Sequence, residues 1–130
     1  MPMEAQFSMG DIIKVRSKTG EYVAKFLEYR DEQMAVVETL AVLKHPTQGD
    51  LHQPNEVDVP LFHQRKAHAF HEKVVVNLST MSAYTGAIPN YEQSLKQALE
   101  DKMTQLQARQ DLWAKKSHAL LQELNQEYFL

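Results

Sequence analysis

The chain has 130 residues, 43% of them hydrophobic and 24% charged, with only 4 Gly and 5 Pro; this is the length and composition of one ordinary globular domain and excludes disordered, collagen-like and low-complexity classes. Cysteine is absent, which removes disulfide frameworks, thiol catalysis and cysteine-held zinc from consideration. The formal charge of −3 argues against phosphate contact as the main task, since nucleic-acid-binding domains are usually basic.

No membrane span is expected: uninterrupted apolar runs are as short as Leu40 to Leu43, against the roughly 20 residues a spanning helix needs. The start, Met1-Pro2-Met3-Glu4, has an acid where a secretory signal carries a basic cluster, and no apolar stretch comes after it; the expected compartment is the cytoplasm.

The first half is predicted to be β. Ile12, Ile13 and Val15 form a first run. Lys18-Thr19-Gly20 then offers a tight turn into Tyr22, Val23, Ala24, Phe26, Leu27 and Tyr29, with Gly20 expected to supply any positive φ the hairpin requires. A third run, Met34 to Leu43, is apolar on both faces, as in a strand that faces a barrel interior on one side and a packed helix on the other. From 44 to 60 the chain is expected to form a long ordered loop, broken by Pro46, Gly49, Pro54 and Pro60. Leu61 to Glu72 reads as a half-buried strand, Val74 to Val76 as a short one, and Leu78 to Tyr84 as a single helical turn; the β section ends at Thr85-Gly86.

After Pro89 the character changes. Residues 90–130 contain neither Gly nor Pro and are rich in Leu, Gln, Glu, Lys and Ala, which predicts helix. Asn90 and Gln93 have the spacing of a capping box. Tyr91, Leu95, Leu99, Met103 and Leu106 recur at helical spacing, as do Trp113, Leu120, Leu121, Leu124 and Tyr128. An unbroken helix of about 40 residues would extend roughly 60 Å, so two helices are expected, parting at Gln107–Asp111 with Asp111 as a cap. The prediction is a small β-barrel over 1–89 and then a helical hairpin over 90–130 packed on it.

Six histidines invite a metal hypothesis. His45, Asp50, His52 and Asp58 share one loop, with His63, His68 and His71 soon after it, but the fixed two-histidine spacings of helix-borne zinc sites are absent. Local hydrogen bonding by loop histidines is the favoured reading; a histidine-loop metal-dependent hydrolase is the alternative. Ser17-Lys18-Thr19-Gly20 has the letters of a phosphate loop in the wrong order and is read as a turn. Tyr22, Phe26 and Tyr29 could stack bases in an RNA-binding small barrel, but aromatic residues on short strands more often fill the core. No cofactor and no catalytic residue is indicated.

Three segments taken in order, Leu43-Lys-His-Pro-Thr-Gln-Gly-Asp-Leu-His-Gln-Pro54, Val59-Pro-Leu-Phe-His-Gln-Arg-Lys-Ala67 and Tyr84-Thr-Gly-Ala-Ile-Pro-Asn-Tyr91, resemble the kinase-associated protein B family of spore-forming bacilli. The resemblance implies an SH3-like barrel with added helices (α+β overall) and a non-enzymatic accessory role toward a membrane sensor histidine kinase in the sporulation phosphorelay. It brings no catalytic or contact residues. The chain itself has no spanning segment, so membrane association would come through the kinase. The family is sometimes labelled a lipoprotein, a label expected not to apply to a sequence without cysteine. The long loop and the segment C-terminal to it suggest Pro46, Asp50, Leu51, His52, Pro54, Phe62, His63 and Arg65 as partner-binding residues.

Overall fold

Among the described residues, five strands and two long helices make up most of the regular structure. The computed structural model describes residues 6–49, 64–109 and 111–129. The strands are β1 (Ile12–Ser17), β2 (Gly20–Tyr29), β3 (Met34–Lys44), β4 (Lys73–Asn77) and β5 (Met81–Ala83), with a 3-10 turn over Leu78–Thr80 between the last two. Helix α1 spans Tyr91–Ala108 and α2 spans Leu112–Phe129. All strand pairs are antiparallel, in the order β4-β3-β2-β1-β5.

The β1–β2 hairpin closes through a two-residue turn in which Lys18 (φ 48) and Thr19 (φ 72) take the left-handed conformation. Such turns match the twist of the strands they join. Gly20 was expected to carry the positive φ; instead it opens β2 and is needed for space, because a Cβ there would sit 2.6 Å from the Tyr22 hydroxyl. The β2–β3 pairing slips at Glu21/Tyr22, Val23/Ala24 and Phe26/Glu28. Each slip is an extra residue that bends its strand and raises the local twist, so the longest pair in the sheet is strongly curled.

Curling does not produce a barrel. The expected SH3-like barrel is corrected to an open five-stranded antiparallel sheet with a two-helix hairpin: β4 pairs with β3 and β5 with β1, and the two outer strands do not pair with each other among the described residues. The reason lies in two elements that differ from expectation. Residues 64–70, anticipated as part of a strand from Leu61 to Glu72, form no ladder, and only His71 and Glu72 at its end bond the Thr39 backbone of β3; residues 61–63 lie outside the described residues. Met81–Ala83, anticipated as part of a helical turn, is instead a strand of three residues that, among the described residues, pairs with Ile13–Val15 alone.

Two apolar clusters hold the molecule. In the first, Ile13, Val15, Tyr22, Ala24, Phe26, Ala35, Val37 and Val76 of the sheet enclose Leu95 and Ala98 of α1. In the second, Leu99 and Leu106 of α1 meet Trp113, Ala114, Leu121 and Leu124 of α2. Trp113 therefore joins helix to helix. The helices part as expected. The Asn90 side chain accepts from the Gln93 N–H at 3.1 Å, and Asp111 Oδ1 accepts from the Ala114 N–H at 2.7 Å, each satisfying a donor left orphaned at a helix start. Ser94 pins α1 to the sheet: its Oγ accepts from the Val42 N–H at 2.9 Å and donates to the Tyr91 carbonyl at 2.7 Å.

Candidate functional site

The unclosed side of the sheet forms a cleft of about 550 Å³, with Ser17 and Lys18 on one lip, Val74 and Val75 on the other, and Tyr22 and His68 among the groups beneath. Arg65, Lys66, Pro46 and Glu72 complete its margin. It exists because β5 stops at Val15 and leaves the last two residues of β1 without a partner on that side among the described residues, while the chain from 64 to 69 runs across the opening without joining either edge.

Side chains, not a ladder, hold that crossing segment. The Gln48 amide exchanges two hydrogen bonds with the Arg65 backbone, at 2.8 and 3.0 Å. The Arg65 guanidinium donates to the Gly49 carbonyl. Gln64 donates to the Leu120 carbonyl and to Glu123 of α2 at 3.2 and 3.1 Å, Lys66 pairs with Glu127, and the Ala67 N–H donates to the Tyr128 hydroxyl at 3.0 Å. The bonds to the Arg65 backbone and to the Ala67 N–H satisfy groups that a strand would have paired.

His68 lies flat on Tyr22, ring centroids 4.1 Å apart and planes 5° from parallel. Its Nε2 is 3.3 Å from Ser17 Oγ and its Nδ1 is 3.3 Å from Thr39 Oγ1, and its carbonyl accepts from the Tyr91 hydroxyl at 2.6 Å. Burial is the main reason its pKa falls below the usual histidine value; Glu72 opposes the shift and Lys18 adds to it. Burial likewise pushes the Tyr22 phenol upward. A serine beside a neutral imidazole has the outline of a nucleophile and base, but the group behind the ring is a hydroxyl. It supplies no charge to support an imidazolium, and both contacts are long. The arrangement is one of mutual packing and hydrogen bonding.

Of the other described histidines, His45 and His71 are similarly engaged, whereas the buried Nε2 of His118 has no hydrogen-bond partner among the described residues. His45 is fully buried, its Nδ1 donating to the Pro46 carbonyl at 3.0 Å and its Nε2 accepting from the Tyr128 hydroxyl at 3.1 Å; desolvation lowers its pKa to about 4. His71 meets Glu38 at 2.5 Å. Among the described residues no three His, Asp or Glu side chains converge as a metal ion requires. Tyr22 and Phe26 point into the core and Tyr29 packs against it.

Of the suggested partner-binding residues, Pro46 and Arg65 both line the cleft; Asp50, Leu51, His52, Pro54, Phe62 and His63 lie outside the described residues, as does the expected loop beyond Gly49. Pro46 is buried and works through its carbonyl, which also accepts from Gln48 at 3.1 Å. Sequence reasoning missed Ser17, Lys18, Val74, Val75 and Glu72 as site residues. Their segments were legible as turn and strand, but no local signal brings positions 17 and 75 to the same opening.

A family model described as kinase associated protein B matches residues 17–129. The chain belongs to the kinase-associated protein B family. A relative from Bacillus subtilis (strain 168), kinase-associated lipoprotein B, is 39% identical over 123 residues, covering 95% of each chain. The crystal structure of kinase-associated protein B from Bacillus cereus is 33% identical and superposes with a TM-score of 0.81, covering 96% of this chain and all of that one. Within this family the present chain has no described helix long and apolar enough to cross a membrane.

Proposed function

We propose that this protein is a non-catalytic accessory factor that binds a membrane sensor histidine kinase from the cytoplasmic side and supports its activity in the phosphorelay that starts sporulation. The observation that carries the reading is the family match, which extends from the β1–β2 turn to the end of α2 and includes relatives named for association with a kinase. The chemistry of the described residues is compatible with it: imidazoles at positions 45, 68 and 71 are occupied by internal partners, and the cleft is lined by groups suited to hold a polypeptide. Affinity would come from apolar contact and orientation from charges at the rim.

The test is a crosslinking pull-down of the tagged full chain from its own bacterium under sporulation conditions, with the captured proteins identified by mass spectrometry. Enrichment of a sensor histidine kinase is expected, together with weaker autophosphorylation of that kinase when the accessory chain is deleted. Recovery of no kinase, or unchanged kinase activity after deletion, overturns the reading.

A further inference from the structure

We propose that the open seam between β1 and β4 receives an extended, acidic segment of the partner polypeptide as an added strand along the outer edge of β4. The inference rests on the accessory reading above and assigns it a surface and a binding mode.

The backbone of β4 is the first support. Thr39 N–H donates to the Glu72 carbonyl at 2.9 Å and Leu78 N–H to the Gln33 carbonyl at 2.8 Å. With the register between them, Ala35 opposite Val76 and Val37 opposite Val74, alternation along an antiparallel pair turns the backbone groups of Val74 and Val76 toward β3 and those of Lys73 and Val75 away. The outward groups have no backbone partner among the described residues. Unpaired edges of this kind template the addition of another strand.

Room and side-chain surface are the second. Val74 and Val75 line the cleft, whose volume of about 550 Å³ lies beside β4. Val75, 40% exposed, offers an apolar contact of the alternating kind that gives specificity to an added strand. Charge is the third. The margin carries Lys18, Arg65 and Lys66 against the single carboxylate of Glu72, in a chain whose overall charge is −3. Glu72 already accepts the Ala69 N–H at 2.8 Å and Lys66 is held by Glu127, whereas Lys18 is exposed and makes no ion pair among the described residues. An acidic side chain on the incoming segment would meet that ammonium at the lip.

The experiment uses the full-length protein and fluorescein-labelled twelve-residue peptides tiling the cytoplasmic sequence of the kinase recovered in the pull-down. Acidic peptides are expected to bind. Val75→Pro, which deletes an N–H that bonds nothing in the sheet, should weaken binding at least tenfold, whereas Val75→Thr, which keeps it, should stay within twofold. Lys18→Glu should weaken binding at least fivefold. On wild-type protein saturated with peptide, the Val75 amide should exchange with solvent at least tenfold more slowly, a readout that does not depend on any variant folding. An unprotected Val75 amide, undiminished binding by a folded proline variant, or an intact kinase that binds while none of its peptides does would each overturn the added strand and leave the accessory reading standing. Failure to recover any kinase removes both.

Discussion

His45 and Tyr128, 83 positions apart in sequence, meet at 3.1 Å between imidazole Nε2 and phenol oxygen. The phenol also accepts the Ala67 N–H at 3.0 Å, and the opposite ring nitrogen donates to the Pro46 carbonyl. One relay of hydrogen bonds thus joins α2, the segment crossing the seam and the chain leaving β3. Tyr128→Phe keeps the ring and deletes the relay's centre, leaving a buried acceptor and a backbone donor unpaired. The expected loss is about 1–3 kcal/mol, measured as a lower denaturant midpoint at unchanged slope; an unchanged midpoint would show that the relay does not stabilise the fold.

The same histidine makes stability depend on pH. Its folded pKa, about 4, lies below the ordinary 6.5, so between these values the unfolded chain takes up a proton that the folded chain refuses. The contribution is complete above about pH 6.5 and declines as pH falls toward about 4, by on the order of 3 kcal/mol. His68, shifted the same way by burial, adds to the slope. Urea melts at stepped pH should show the decline, and His45→Gln should flatten it relative to its own value at neutral pH.

Ser94→Ala is expected to cost about 1–3 kcal/mol, because the Val42 N–H, displaced from regular pairing beside a slip in the β2–β3 register, would be left buried without an acceptor. Thermal unfolding by circular dichroism checks it; Ser94→Thr, which retains a hydroxyl, should recover part of the loss.

Gly20→Ala places a methyl group 2.6 Å from the hydroxyl of Tyr22, whose ring is fully buried and stacked on His68 and cannot swing aside. Overpacking of this kind costs about 1–3 kcal/mol. Equilibrium denaturation is the measure, with Gly20→Ala in a Tyr22→Phe background expected to be less damaging than the two single effects summed.

Trp113 is 8% exposed, in contact with the α1–α2 cluster and covered by the Arg109 guanidinium 4.7 Å above its ring. Trp113→Ala is expected to cost about 3–5 kcal/mol. Denaturant melts showing no loss would place the indole outside the packed cluster.

Local chemistry was legible in the sequence and long-range closure was not. Asn90 with Gln93, and Asp111 after a polar stretch, announce helix starts within a few residues of the groups they satisfy, and both caps form. The apolar runs of β1, β2 and β3 likewise sit where their spacing places them. Whether outer strands meet depends on the bends accumulated along β2 and β3, which no local pattern reports. The segment 64–72 looked like a strand because Ala67, Ala69 and Phe70 recur among polar residues; its needs are met instead by the hydroxyls of Tyr128, Tyr22 and Tyr91, groups remote in sequence. Met81–Ala83 is too short to display an alternation. Gly20 misled because glycine serves two purposes, freedom of φ and absence of bulk, and only the position of Tyr22 reveals which applies.

Leaving the outer border of β4 without a strand partner among the described residues also exposes the molecule to its own kind. A free strand border accepts the matching border of a second copy as readily as a foreign one, the route by which β proteins precipitate. Here the stretch is five residues long, begins with a lysine and gives way at Leu78 to a turn that cannot continue it. Solubility at high concentration is therefore helped by this brevity and by the charge that Lys73 places on the exposed border.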